Sequence, residues 1–353
     1  MYILFAALIF SFLIFIHEFG HFATAKLSGV QVNEFAIFMG PAIFKKKVGE
    51  TLYSIRCIPF GGYCAMEGED GDSDNPRSFT NAAWWKRLLI LVAGSAMNFI
   101  SGFVILAIIL SCLGGVTLPV ISHMEEGTLV GGENGLQVGD EILEVDGWKV
   151  HIQSDFSTIL YMNPGEVHDL VVRRDGQRVE LNDFVMKTAE FTNEDGTKSQ
   201  RYGFSFTVEE KTFGRVLEQA WKECLSIIQQ VIMSLEMLFT GKAGLQDMSG
   251  PVGIVSIMAD VGEQSQTTFL AFLNILNLGA FIAVNLAVMN MLPIPALDGG
   301  RVLFLLITTA YQAVTKRKLD PKYEAFIHGA GMVLLLLLMA VILFKDIFTI
   351  FRG

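Results

Sequence analysis

Four stretches of the chain run for about twenty residues with hardly a charge: residues 1 to about 22, 88 to about 113, 269 to 292 and 326 to 344. At about 1.5 Å per residue, roughly 20 helical residues cross the ~30 Å hydrocarbon core of a bilayer. Each stretch therefore predicts a membrane-spanning helix. The first has no basic segment ahead of it and no small-residue cleavage site before its polar residues, so it is expected to be a retained span rather than a signal peptide.

Between the spans the period changes. Residues 32–70 alternate apolar with polar or small positions around "KKKVGET", which predicts short strands joined by a turn. Pro59 and the pair Gly61-Gly62 would end a strand or leave an edge. Such a hairpin either only connects two spans or offers an edge to another chain. From 116 to 208, short β-type runs such as "EILEV" and "HDLVVRR" are separated by the turn signals "GGENG", "VDG", "NPG", "RRDGQ" and "NEDGT". This predicts one small soluble β-rich domain. Residues 213–239 carry Val216, Ala220, Trp221, Cys224, Ile227 and Val231 at helical spacing, the pattern of a helix lying on the membrane surface or packed within a domain.

The expected architecture is a polytopic α-helical membrane protein of about four transmembrane helices, with a membrane-associated β-hairpin or sheet and one extracytoplasmic β-rich domain. Its segments are a first span over 1–31, the β region over 32–83, a second span over 84–114 and the β-rich domain over 115–209. An amphipathic helix and linker follow over 210–266, then a third span with a cytoplasmic loop over 267–325 and a fourth span over 326–353. The short segments rich in Lys and Arg orient the whole. Lys26, Lys45, Lys46, Lys47, Arg56, Arg77, Lys86 and Arg87 follow the first span, and Lys316, Arg317, Lys318 and Lys322 precede the last. Both groups are expected to face the cytoplasm, placing the termini and the β-rich domain outside.

Composition supports the membrane class, since 52% of the 353 residues are hydrophobic and only 18% charged. A net charge of -10 argues against nucleic acid, whose phosphates need clustered Lys and Arg. Cysteines at 57, 64, 112 and 224 form no C-x-x-C pair and suggest neither a disulfide framework nor a thiolate metal site.

The chemistry begins with "HEFGH" in the first span. His17 and His21 are four apart, so on a helix they share a face with Cβ atoms about 5–6 Å apart, close enough for both imidazoles to reach one tetrahedral metal. Glu18 then lies beside the metal without ligating it, placed to move a proton. Three ionisable groups in a span cost about 2.5–3.5 kcal/mol each near its centre and need a reason. Two histidines are an incomplete site. The candidate third ligand is Asp298 in "NMLPIPALDGG", at the end of an apolar span, after Pro293 and Pro295 and before Gly299 and Gly300, which are expected to turn the backbone. Alone, Asp298 would read as a helix cap or turn residue.

Together, "HEFGH" and "NMLPIPALDGG" resemble the site-2 protease family of intramembrane zinc metalloproteases, whose pattern is H-E-x-x-H in one span and N-x-x-P-x-P-x-L-D-G in another. Every fixed position is present: His17, Glu18, His21, Asn290, Pro293, Pro295, Leu297, Asp298 and Gly299. The resemblance extends over almost the whole chain and is to the bacterial branch typified by the sigma-E regulator protease. It implies one Zn2+ per chain on His17, His21 and Asp298, Glu18 as general base and acid, and Asn290 holding substrate or oxyanion. It implies transmembrane-segment protein substrates in the bacterial cytoplasmic membrane, with the active site near the cytoplasmic side. An anti-sigma factor and remnant signal peptides are the substrates it suggests.

"GLQVGDEILEVDGWKV", 135–150, resembles a PDZ domain, which implies either capture of an exposed chain end or a filter against bulky substrates. Extending a substrate helix for cleavage calls for an unpaired strand edge. That edge is expected along 52–58, at Ser54, Ile55 and Arg56. Ser95 stands where the family commonly has proline, so no kink is inferred there. Asn98 and Asn285, also within spans, are read as helix–helix hydrogen-bonding groups or as support for the site.

Overall fold

A computed structural model of the chain describes residues 2–69, 71, 73–132, 135–192, 197–244, 248, 250–317 and 321–352. The expected turn residues 133–134 and 193–196 and the loop residue Lys318 lie outside the described residues, as do the side chains of Pro59 and Lys322. In chain order the elements are α1 (Tyr2–Ser28), β1 (Val32–Val48), β2 (Thr51–Met66), α2 (Trp84–Cys112), β3 (Val116–Met124), β4 (Glu141–Val145), β5 (Trp148–Lys149) and α3 (Gln153–Met162). β6 (Val167–Arg174), β7 (Gln177–Val185), β8 (Ala189–Thr192), β9 (Lys198–Arg201) and β10 (Phe204–Glu209) follow. The chain ends with α4 (Phe213–Phe239), α5 (Pro251–Gln264), α6 (Thr268–Asn290), α7 (Asp298–Thr315) and α8 (Pro321–Arg352). They divide into two compact units, residues 1–105 with 230–353, and residues 106–229.

Among the described residues four helical segments are long and apolar enough to cross a membrane: Tyr2–Ser28, Trp84–Cys112, Thr268–Asn290 and Phe326–Phe348. Only 6% of the most apolar window in the last is buried by protein, a surface that water would not tolerate and lipid does. Ala6 and Leu13 of α1, Met258 of α5, and Ile275, Ile282 and Ala283 of α6 form one core. Ala25 of α1, Phe35 and Cys64 of the sheet, Ile90 and Leu91 of α2, and Leu305 of α7 belong to a second. Both cores pass through α1, which is how the segment bearing "HEFGH" is fixed.

Two helices depart from expectation. The segment expected to be linker contains α5, whose N-terminus is held by Asp346 of α8: the N–H groups of Gly250 and Gly253 donate to its carboxylate at 3.3 and 2.8 Å. The segment expected to be a cytoplasmic loop contains the eighteen-residue α7. Gly299 and Gly300 are not turn residues but the first turn of that helix. A Cβ on either would lie 2.3 Å from the Met291 or Ile294 carbonyl, so their bareness serves close packing, not bending.

β1 and β2 form more than a simple hairpin. Left-handed backbone at Phe38 (φ 69°), Gly40 (φ 83°) and Gly61 (φ 84°) bends both strands, and each folds back beside its partner. Residues 42–48 pair with 51–56, as in Phe44 with Ile55 and Lys47 with Leu52. Residues 52–55 also pair with 34–37, as in Phe35 with Tyr53 and Ile37 with Ile55, and 32–37 pair in turn with 62–66. The lateral order is therefore 42–48, 51–56, 32–37, 62–66. This corrects the expected edge: Ser54 and Ile55 have strand partners on both sides and Arg56, at the end of that inner segment, pairs with Ala42, while the edges are 42–48 and 62–66. Ser54 and Arg56 are further tied down by Glu34, which accepts from the Ser54 hydroxyl at 2.6 Å and from the Arg56 guanidinium at 2.8 Å. Pro59 does not end β2, which continues to Met66.

The second unit is built on a sheet of order β10-β3-β4-β6-β7 with β5 beside β4, a separate β8-β9 pair, and α3. β6 shows why it folds: His168, Leu170 and Val172 alternate inward while Val167, Asp169 and Arg173 face out. Asp140, fully buried, is matched by the Arg174 guanidinium through two bonds of 2.8 and 2.7 Å, the paired geometry that makes a buried charge tolerable. On α4 the buried positions Val216, Ala220, Cys224, Ile227 and Val231 recur at three and four residues, as the amphipathic pattern predicts.

Candidate metal centre

α1 presents His17 and His21 on one face, as the four-residue spacing dictates. Asp298 reaches them because of what precedes it. After α6 ends at Asn290 the chain turns through two prolines to Ala296, which holds φ at 76°, a left-handed conformation that costs a non-glycine residue about 1–2 kcal/mol. The Ala296 N–H donates to Nδ1 of His328 on α8 at 3.0 Å, which helps hold the strained turn. α7 then begins at Asp298, where the helix N-terminus favours a carboxylate. Arg301, one turn on, forms an ion pair with Glu69 just past β2, tying this helix to the sheet.

The three donor atoms form a nearly equilateral triangle. His17 Nε2 and His21 Nε2 are 3.2 Å apart, and Asp298 Oδ2 lies 3.2 Å from the first and 3.4 Å from the second. Asp298 Oδ2 is buried and makes no hydrogen bond at these angles. Tetrahedral zinc with bonds of about 2.0–2.1 Å holds its ligand atoms roughly 3.3–3.4 Å apart, so the triangle fits that ion. Among the described residues these three form the one cluster of His, Cys, Asp or Glu side chains able to share a metal.

Glu18 has the ionisable side chains of His21, His17 and Asp298 as neighbours. A Cβ on Gly62 would lie 3.6 Å from Glu18 Cγ, so the outer sheet segment 62–66 runs beside Glu18. Asn290 ends α6, half-buried, and makes no hydrogen bond to His17, His21 or Asp298. Ser54 and Ile55 belong to the interior of the sheet and Arg56 to the end of the same segment, as described above.

The residues that sequence reasoning undervalued are on α2. Gly94 faces the two histidines so closely that a Cβ there would lie 2.4 Å from His21 Nε2 and 2.7 Å from His17 Cε1. The Ile90 carbonyl is 2.8 Å from His21 Nδ1. Asn98 Nδ2 is 3.4 Å from His17 Nδ1. α2 is one continuous helix through Ser95. The signal that would have found this face is the spacing of Ile90, Gly94 and Asn98, which matches that of His17 and His21.

A sequence model of peptidase family M50 matches residues 5–338. The chain belongs to peptidase family M50. Over 98% of its length, and 98% of theirs, it is 37% identical to a candidate zinc metalloprotease of Clostridium perfringens. It is 28% identical to the regulator of sigma-W protease RasP of Bacillus subtilis, over 98% of this chain and 97% of that one. The M50 chain is thus a zinc metalloendopeptidase of the site-2 type, and zinc is its cofactor. The four membrane-capable helices among the described residues accord with the membrane character of that class.

Proposed function

We propose that this M50 protease hydrolyses peptide bonds within transmembrane segments of membrane proteins, using one zinc ion per chain held by His17, His21 and Asp298. The observation that carries this reading is the 3.2, 3.2 and 3.4 Å donor triangle seated on an apolar helix long enough to span a bilayer. Zinc bound there supplies Lewis-acid chemistry, polarising a scissile carbonyl and acidifying water. Glu18 takes the proton from the attacking water and later delivers it to the leaving amine. Asn290 offers a side-chain amide that donates to substrate or to the developing oxyanion without adding charge to a dry site. Residues 62–66, paired on one side only and running beside Glu18, offer backbone groups to an extended substrate. In this reading the strand clamp lies two segments across the sheet from Ser54, Ile55 and Arg56, on the far side of 32–37.

In this reading the protein resides in the bacterial cytoplasmic membrane, with the Lys- and Arg-rich segments on the cytoplasmic side and the active site near it. The boundaries follow those expected above, with residues 115–209 as a PDZ-like domain that either takes an exposed chain end or excludes bulky substrates. Anti-sigma factors and remnant signal peptides are the substrate classes that suit it.

The test is Glu18→Gln in the full-length protein. Zinc content stays at one per chain, turnover of a transmembrane peptide falls by about 10²–10⁴, and uncut membrane peptides accumulate in cells. Wild-type turnover by Glu18→Gln, or a wild-type protein that holds no zinc, overturns the reading.

A further inference from the structure

α2 contributes no ligand to the proposed centre, yet it touches both histidines from behind. A histidine that ligates through Nε2 carries its proton on Nδ1 when neutral, and that N–H needs an acceptor. His21 has one, the Ile90 carbonyl at 2.8 Å. Facing Nδ1 of His17 is Asn98, 1% exposed, with Nδ2 at 3.4 Å and an Oδ1 that is buried with no hydrogen-bond partner. Two donors cannot bond each other, and an orphaned amide oxygen in a dry site costs about 1–3 kcal/mol. Both problems have one solution, a half-turn of the amide. Amide oxygen and nitrogen differ little in shape, and the turn brings Oδ1 to His17 Nδ1.

We propose that Asn98 is a positioning residue for the metal centre: its Oδ1 accepts the Nδ1–H of His17, fixing the tautomer that leaves Nε2 free for zinc. α2 then sets both ligands through one face, by the Ile90 carbonyl for His21 and by Asn98 for His17, with Gly94 between them leaving room for the two rings. This rests on the reading that His17 is a zinc ligand. It also gives α2 a specific reason to keep an amide within a membrane span.

The experiment measures zinc affinity of purified full-length protein in detergent, by competition with a chelator, for wild type, Asn98→Leu, Asn98→Asp and His17→Ala. Asn98→Leu keeps the volume and removes the acceptor, and its zinc affinity falls by about 10–100-fold. Asn98→Asp keeps an acceptor oxygen and binds zinc as tightly as wild type or tighter. With Co2+ in place of zinc, the visible ligand-field bands of Asn98→Leu shift while those of Asn98→Asp stay near wild type. Wild-type affinity in Asn98→Leu overturns the proposal, and so does an Asn98→Asp variant as weak as Asn98→Leu. If Asn98→Leu does not fold, Asn98→Asp against wild type still decides, because a loss of zinc there refutes the acceptor role. His17→Ala separates the two layers. Zinc retained in His17→Ala sinks the ligand assignment itself, whereas zinc lost there but kept in Asn98→Leu sinks only the role of Asn98.

Discussion

Gly94→Ala is the smallest change that tests whether the α1–α2 packing builds the metal centre. The new methyl would sit 2.4 Å from His21 Nε2, 2.7 Å from His17 Cε1 and 2.8 Å from His21 Cε1, where ordinary contact begins at 3.4 Å. About 1 Å of movement is therefore demanded of either the imidazoles or the helix pair. Parting the helices would undo the close packing at Gly20 of α1, where a Cβ would lie 2.4 Å from the Ala93 carbonyl. Metal–ligand distances tolerate only about 0.2 Å, so the donor triangle cannot survive the shift. The expected result is zinc occupancy below a tenth of wild type and cleavage reduced by about 10²-fold or more. Metal analysis and turnover of a transmembrane peptide measure both. Gly102→Ala on the same helix is the control: its methyl would lie 2.6 Å from Val284 Cγ2 and 3.2 Å from the Ala280 carbonyl, far from any ligand. It should cost about 1–3 kcal/mol of packing and leave zinc in place. A Gly94→Ala enzyme with full zinc and normal turnover would refute the claim that this contact builds the site.

Two further outcomes are expected. Burial lifts the Glu223 carboxyl on α4 from its ordinary 4.5 to about 7, with Asp155 adding to the rise and a hydrogen bond from Gln219 opposing it. A raised carboxyl contributes stability that is full below pH 4.5 and lost as pH rises through about 7, because the folded protein must then ionise a desolvated group. The thermal stability of the full-length protein should thus fall as pH rises from about 4.5 to about 7, and Glu223→Gln should flatten that slope; an unchanged slope removes Glu223 as its cause. For the strand clamp, successive residues of 62–66 point their N–H groups alternately to the paired and the free side. Of the variants Cys64→Pro and Ala65→Pro, the one that removes a free-side N–H should lower cleavage at unchanged zinc content, and the other should disrupt the ladder to β1. If cleavage is intact in both, with zinc bound, the clamp idea fails.

Much of this fold is legible from local pattern, because the four spans are set by length and apolarity and the His17–His21 pair by helical spacing alone. What the pattern misses is long-range. The alternation of 32–66 predicts strands, but their order depends on the left-handed bends at Phe38, Gly40 and Gly61, which fold each strand back and move the edge from Ser54–Arg56 to 62–66. α7 starts on Asp298-Gly299-Gly300, a turn by local chemistry, and is helical because those glycines let it press against the Met291 and Ile294 carbonyls. The α2 contribution is hidden for another reason. Ile90 acts through a backbone carbonyl and Gly94 through an absent side chain, so neither has a chemical signature of its own.

That face of α2 changes how the centre is best understood. The proposed ligand set accounts for three donors, but two imidazoles on adjacent turns of one helix do not by themselves agree on which nitrogen to present, since the tautomers of a neutral imidazole are close in energy in water. Inside a membrane span no water is at hand to satisfy the second nitrogen, so an unmatched N–H or lone pair there costs several kcal/mol in hydrocarbon. In the proposed reading a zinc site within the span has to bring its own acceptors: the Ile90 carbonyl lies 2.8 Å from His21 Nδ1, and the Asn98 amide, whose Nδ2 is 3.4 Å from His17 Nδ1, presents Oδ1 there after its half-turn. The apolar setting that makes "HEFGH" unusual is also what makes a third helix necessary to it.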